Sequence, residues 1–94
     1  MFGLIGKMRT TPGKRDELAS ILTEGTRAMP GCRSYIIALD PVEPDVLWIT
    51  EVWDDEAAHR ASLELPAVRD AISVGRPMIA GFEMHQTTRP VSGA

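Results

Sequence analysis

The sequence predicts a single α+β domain of the ferredoxin-like type, with the element order βαββαβ and a four-stranded antiparallel sheet. A length of 94 residues allows one core. The apolar residues alternate at a period of two in some segments and of 3.6 in others, and Pro or Gly falls where the period changes. That order is the split βαβ arrangement. We predict that residues 1–88 form this domain and that residues 89–94 are a flexible C-terminal tail.

The first half of the chain predicts a strand, a helix and a second strand. Residues 2–10 alternate between two faces, which is the period of a strand. Pro12 suits the first turn of a helix, and from Lys14 the apolar positions repeat at helical spacing until Pro30 ends them. The second strand is predicted over residues 33–39.

The second half predicts a hairpin, an interrupted helix and a last strand. A turn with two prolines separates the second strand from a third over residues 46–53, so that the two form an antiparallel pair. Residues 56–64 are predicted to be helical, and Pro66 begins a further helical segment. The last strand is predicted over residues 81–88.

Charge and cysteine content exclude several classes of function. The net charge is −3, and the basic residues are scattered rather than clustered, so we expect no nucleic-acid partner. No apolar run approaches the roughly 18–20 residues that span a bilayer, and the first residues lack a basic leader, so we expect no membrane association. The single cysteine, Cys32, cannot form an internal disulfide, which favours the cytoplasm.

The second and third strands are apolar on both faces. Helices cover one face of such a sheet, and the other would leave an apolar patch larger than monomers normally expose. The simplest cover is the same face of a second copy. We therefore predict a homodimer, a dimeric α+β barrel with an apolar cavity between the two sheets. The residues concerned are Tyr35, Ile37 and Leu39 against Ile36 and Ala38, and Leu47, Ile49 and Trp53 against Val46, Trp48 and Val52.

Three segments resemble the antibiotic biosynthesis monooxygenase family, and the likeness extends over about residues 1–88. They are Ile-Thr-Glu-Val-Trp-Asp-Asp-Glu-Ala-Ala-His at 49–59, Leu-Pro-Ala-Val at 65–68 and Thr-Pro-Gly-Lys at 11–14. The resemblance implies a dimeric α+β barrel that oxidises phenolic or quinol-type aromatics with O₂, without a metal or organic cofactor. One branch of the family degrades haem, but its Asn, Trp and His positions correspond here to Lys7, Ser62 and Ile72, which do not fit.

Chemistry of this kind needs an apolar site, a base and a means to exclude water, and three residues are candidates for its catalytic groups. Glu51 gains basicity in an apolar setting, or else pairs with Lys7 or Arg9 on a neighbouring strand. Trp53 shares a strand face with Glu51, and it either stacks on the substrate or is a core aromatic. His59 is a base at the cavity mouth or a helical histidine without a role. No spacing typical of metal ligands occurs.

Three further residues are candidates for substrate binding. Lys7 would stabilise the substrate anion. Tyr35 would donate a hydrogen bond to a phenolate, or it packs in the interface. His85 shares a predicted strand face with Glu83, and it either reaches the polar end of the cavity or lies at a solvated edge.

The sequence therefore favours a cofactor-independent monooxygenase that oxidises a quinol or polyphenolic aromatic in an apolar cavity. The alternative is a non-catalytic dimeric barrel that binds a hydrophobic small molecule, because one scaffold hosts several activities. An isomerase or decarboxylase that uses the same cavity is a third, weaker reading.

Overall fold

The computed structural model describes residues 1–92 and contains the predicted elements in the predicted order. The sheet is antiparallel throughout, with the strand order β2-β3-β1-β4, so the predicted ferredoxin-like α+β class is confirmed. A 3₁₀ turn over Arg76–Met78 joins the last helix to the last strand. The elements are β1 (Phe2–Thr10), α1 (Arg15–Gly25), β2 (Cys32–Leu39), β3 (Val46–Trp53), α2 (Glu56–Ser62), α3 (Pro66–Gly75) and β4 (Ile79–Thr88).

Helix α1 ends earlier than the prolines and glycines predict. Its last residue is Gly25, where the N–H and the hydroxyl of Thr26 both donate to the carbonyl of Leu22. The chain then reaches β2 through Gly31, whose φ of +79° a side chain with a Cβ disfavours. The Pro-Gly pair thus marks the entry to a strand rather than the end of a helix.

The two faces of the sheet differ in what covers them. We call the face that carries Leu4, Met8, Ile49 and Trp53 the inner face, because the helices pack on it. The main core joins this face to α1, and burying each large side chain there contributes about 1.5–3 kcal/mol. Its buried members are Met8, Leu18, Leu22, Leu47 and Ile49, and a second cluster holds Met29, Trp53 and Val68.

The opposite face, here called the outer face, carries Ile5, Lys7, Trp48 and Val52 by strand register. Ile36 lies on the same face and is 55% exposed. Apolar side chains on both faces of β2 and β3 are therefore present as predicted.

Helices α1 and α3 pack closely against each other. A Cβ built on Gly25 would lie 2.4 Å from the Cβ of Ala71 and 3.0 Å from the carbonyl oxygen of Ala67, so glycine permits this close approach.

Within residues 1–92, no helix has both the length and the apolar character to cross a membrane. The predicted tail begins after β4, and its last residues, 93 and 94, lie outside the described part of the chain. Pro90 lies against Gly3 of β1.

Candidate active site

A cavity of about 250 Å³ lies between the inner face of the sheet and the helices α1 and α3. Its walls are mainly apolar, with a few polar side chains at its edges, which is the usual character of a small-molecule site. Its lining consists of Leu4, Gly6, Met8, Leu18, Leu22, Tyr35, Ile49, Glu51, His59, Ala71, Ile72, Gly75, Ile79, Phe82 and His85.

A second chamber of about 80 Å³ adjoins the cavity beside the second half of α2. Glu51, His59 and Tyr35 line both spaces, so these three side chains stand at their junction. Trp53 lines only the smaller chamber.

The position of the cavity differs from the prediction that it lies between two sheets. Glu51 and Trp53 share the inner face with Leu4 and Phe2, their partners across β1, and the helices cover that face. This cavity is therefore formed by residues of a single chain. Alternation along a strand assigns residues to faces, but it does not say which face the helices cover, since both faces of β3 are apolar.

Glu51 is a largely buried carboxylate, with 14% of its side chain exposed. Its Oε1 accepts a hydrogen bond of 2.9 Å from the indole Nε1 of Trp53. Burial raises the pKa of Glu51, while the indole hydrogen bond and the nearby His59 act in the opposite direction. Burial prevails, so this carboxylate is more basic than an exposed glutamate.

The ion pair considered as an alternative for Glu51 does not form. The side chains of Lys7 and Arg9 point to the outer face, where both reach Glu43. Arg9 also pairs with Glu83.

His59 is the partner of Glu51 from the helical side. Its Nε2 lies 3.9 Å from Oε1 of Glu51, and 21% of its side chain is exposed. The ring lies against those of Phe2 and Trp53, at centroid distances of 5.5 Å and 5.6 Å. These contacts hold the imidazole at the cavity wall, where it remains partly exposed.

The start of α2 explains why His59 lies there. The side chain of Asp55 accepts a hydrogen bond of 2.8 Å from the N–H of Ala58, which caps the helix directly after β3. One turn later, His59 faces back over the end of that strand. The buried Ser62 adds a hydroxyl that donates to the His59 carbonyl at 2.6 Å.

Trp53 is fully buried and belongs to the second core cluster. It does not line the 250 Å³ cavity, so its indole ring is not positioned to stack on a substrate there. Its contribution to the site is the hydrogen bond that orients Glu51.

Tyr35 lies directly across from Glu51 in the β2–β3 pairing. Burial, together with the negative charge of Glu51, raises the pKa of its hydroxyl well above the ordinary value. The hydroxyl therefore keeps its proton and can donate a hydrogen bond to an anion in the cavity.

His85 reaches the cavity from β4, where its register partner is Gly6. Glu83, predicted to share its face, does not accompany it. The register shifts between Lys7 and Met8, and this bulge turns the Glu83 carboxylate to Arg9, which donates to it at 2.9 Å.

The same bulge brings Phe82 to the cavity. Its side chain is 63% exposed, although it also contributes to the lining. Phe82 and His85 thus form the exposed rim on β4.

Lys7 does not reach the cavity. It pairs with Trp48 across β1 and β3 on the outer face, and its Nζ lies 5.4 Å from the centre of that indole ring. The whole sheet separates its ammonium group from Glu51.

Besides the apolar lining, sequence reasoning did not assign Gly6 or Phe82 to the cavity, nor Phe2 to the contact with His59. The glycine interrupts the row of large side chains on the inner face of β1, and that interruption is a readable signal. Nothing in the sequence marks the bulge that turns Phe82 inward. Phe2 is found only when the register places it opposite Trp53.

The polar groups of the site form a pair rather than a ligand cluster. In the part of the chain that the structure describes, no three His, Cys, Asp or Glu side chains lie close enough to hold a metal ion. Glu51 and His59 together present one carboxylate and one imidazole.

Comparison with known proteins agrees with this fold and with the segments that carry the family resemblance. The family model of antibiotic biosynthesis monooxygenases matches residues 1–74. A proposed antibiotic biosynthesis monooxygenase from Chloroflexus aurantiacus is 59% identical, with a TM-score of 0.96, over 99% of this chain and 95% of that one. A search of curated proteins gives no match.

More distant structures share the fold. A proposed antibiotic biosynthesis monooxygenase from Deinococcus radiodurans is 23% identical, with a TM-score of 0.80, over 100% of this chain and 96% of that one. One from Caulobacter crescentus is 18% identical, with a TM-score of 0.85, over 97% and 90% of the two chains. The predicted family resemblance is confirmed.

Proposed function

Since the chain belongs to the antibiotic biosynthesis monooxygenase family, we propose that it is a cofactor-independent monooxygenase that oxidises a quinol or polyphenolic aromatic with O₂. The observation that carries the proposal is the Glu51–His59 pair in the wall of an apolar cavity. Such a pair supplies the base that this chemistry needs, and the apolar walls supply the exclusion of water.

The reaction balances without an external reductant. The pair removes a phenolic proton, and the electron-rich anion passes electrons to O₂. One oxygen atom forms a new C–O bond on the ring, and the other leaves as water with the two hydrogens that the substrate loses. The substrate supplies all four electrons, so the chain needs only to bind, deprotonate and shield it.

Each polar side chain has a distinct task in this scheme. His59 and Glu51 accept the proton, and the carboxylate stabilises the imidazolium that results. Trp53 is a positioning residue, because its indole holds Oε1 of Glu51 in place. Tyr35 donates a hydrogen bond to the phenolate, and His85 binds the substrate at the exposed end of the cavity.

The proposal includes a homodimer formed through the outer face. Support comes from the exposure of Ile36 and from the half-buried Ile5, Trp48 and Val52 beside it. A two-fold axis through this face would bury all four side chains and leave both cavities intact. The half-buried thiol of Cys32 suits a reducing compartment, so the cytoplasm is the proposed location.

One observation favours a second candidate, a barrel that binds a hydrophobic small molecule without reaction. The oxygen of Glu51 nearest to His59 already accepts the Trp53 hydrogen bond, as a purely structural carboxylate would. An oxygen electrode separates the two. Metal-free protein is incubated with menadiol, and O₂ uptake is compared with buffer and with Glu51→Gln.

The monooxygenase predicts uptake well above the buffer rate and a loss of that excess in the variant. If a two-ring phenol binds tightly, but none of several electron-rich aromatics raises O₂ uptake above the buffer rate, the binding protein is favoured instead.

A further inference from the structure

Gly6 occupies the centre of the cavity floor. It lies on β1, an inner strand of the sheet, between Leu4 and Met8 on the inner face. Its neighbours across the sheet are Ile49 on β3 and His85 on β4, and both line the same cavity. Every side chain around this position is larger than a hydrogen atom, so Gly6 makes a depression in the floor.

The fold itself does not require glycine at this position. Among the glycines of the described part, Gly13 and Gly31 have positive φ, so Gly6 has a backbone that any residue can adopt. A Cβ built on Gly6 would have the carbonyl oxygen of Met84 as its nearest neighbour, at 3.9 Å, which is an ordinary contact. Glycine inside a strand weakens it, because it loses more backbone freedom on folding than other residues do.

Gly75, in the roof of the same cavity, shows the contrast. A Cβ there would lie 2.7 Å from Cδ1 of Leu18, so packing between helices α1 and α3 explains that glycine. At Gly6 no atom of the described chain occupies the space. What lies above Gly6 is the cavity.

We propose that Gly6 determines substrate specificity, because it leaves bare backbone on which the flat face of a two-ring phenolic substrate lies. This inference rests on the proposed function for the identity of the substrate. A ring on Gly6 would extend between Ile49 and His85, with its hydroxyl directed to Glu51 and His59. A residue with a Cβ would lift the ring away from the floor.

The size of the cavity argues for two fused rings. Pockets for drug-sized ligands span roughly 300–1,000 Å³, and this cavity of about 250 Å³ falls below that range. A two-ring quinol such as menadiol is therefore the preferred class, ahead of a three-ring anthrone.

The test measures binding and stability together in matched variants. Gly6→Ala and Gly6→Val fill the floor, whereas Gly81→Val makes the same change on β4 opposite Arg9, outside the cavity and with no atom within 4 Å of its Cβ. Calorimetric titration with 2-naphthol measures the affinity, and thermal unfolding measures stability. We expect Gly6→Val to weaken binding at least about tenfold and Gly81→Val less than about twofold. Neither Gly6 variant should lower the melting temperature.

Three results would overturn the inference. In the first, Gly6→Val and the natural chain bind 2-naphthol with equal affinity. In the second, Gly6→Ala has a lower melting temperature than the natural chain. In the third, the natural chain does not bind 2-naphthol at millimolar concentration. The second would show that the space above Gly6 is already filled.

Turnover distinguishes failure of this inference from failure of the proposed function. If the natural chain consumes no menadiol but Gly6→Val loses 2-naphthol binding, the role of Gly6 in binding is supported and the proposed oxygenase activity is not. If the natural chain consumes menadiol and Gly6→Val leaves the KM for menadiol unchanged, the proposed oxygenase activity is supported and the proposed role of Gly6 is wrong.

Discussion

The indole Nε1 of Trp53 donates a hydrogen bond of 2.9 Å to Oε1 of Glu51, two residues earlier on the same face of β3. The tryptophan is fully buried, and the carboxylate stands at the cavity wall beside His59. The core of the protein thus fixes the orientation of the proposed base, and one hydrogen bond couples the stability of the fold to the chemistry of the site.

Trp53→Phe should weaken the fold and raise the pKa of the proposed base. Loss of the hydrogen bond and of part of the ring should lower the free energy of unfolding by about 1–3 kcal/mol, measured by urea denaturation. Because the indole hydrogen bond lowers the pKa of Glu51, its loss should move the acid limb of the pH–rate profile to higher pH.

Trp48→Phe is the matched control for this prediction. Trp48 also donates an indole hydrogen bond, to Asp40 at 2.9 Å, but it lies on the outer face. Trp48→Phe should lower the free energy of unfolding without moving the acid limb of the pH–rate profile. An equal shift in both variants would show that Trp53 does not act through Glu51.

Glu51→Gln should abolish most of the activity. Removal of a general base typically lowers kcat by about 10²–10⁴-fold, and we expect that range for menadiol oxidation, with little change in KM. In the natural chain the rate should rise through an acid limb centred above the ordinary glutamate pKa of 4.5, because burial raises the pKa of this carboxyl.

Lys7→Met serves as the control, since Lys7 lies on the far side of the sheet. Its activity should stay within about twofold of the natural chain under steady-state assay. A loss as large as that of Glu51→Gln would place the reaction on the outer face instead.

The same raised pKa predicts how stability depends on pH. The folded state favours protonated Glu51, so its contribution to stability is fully present below pH 4.5 and is lost as the pH rises through the folded-state pKa. Glutamine does not ionise. Glu51→Gln should therefore melt higher than the natural chain at pH 7, by at most about 5 °C, and the gain should vanish near pH 4. Differential scanning calorimetry between pH 4 and pH 7 measures the two melting temperatures. A difference that does not depend on pH would rule out ionisation of Glu51 as its cause.

Ile36→Lys should dissociate the proposed dimer. Ile36 is 55% exposed on the outer face, and a charge there would be buried without a partner in the assembly. Sedimentation velocity at micromolar concentration should give a dimer for the natural chain and a monomer for the variant. Val74→Lys, at an exposed apolar residue on α3, should remain dimeric. A natural chain that is monomeric under these conditions would contradict the proposal.

Local patterns in the sequence predicted the fold well. The bounds of β1 and β3 were correct, because alternation, prolines and a polar turn define them without reference to the rest of the chain. The end of α1 was wrong by several residues, since the Thr26 cap carries no stronger sequence signal than the Pro-Gly pair beyond it.

The candidate site was harder to predict, because it depends on which face of the sheet the helices cover. Lys7 and Arg9 share the outer face of β1, and two charged residues there argue against helices on that side. Combined with the β1–β3 register, that argument would have assigned Glu51 to the inner face. The bulge near Glu83 lies beyond such reasoning, because one extra residue in β4 reverses the faces of all residues after it.

Turnover under ¹⁸O₂ tests most directly the claim that Glu51 and His59 drive oxygen insertion in this cavity. Metal-free natural chain and Glu51→Gln would each be given menadiol under labelled gas, and the product analysed by mass spectrometry. We expect one ¹⁸O atom per product molecule, formed at least about a hundredfold faster by the natural chain than by the variant. A product without label, or one formed equally fast by both proteins, would contradict the account.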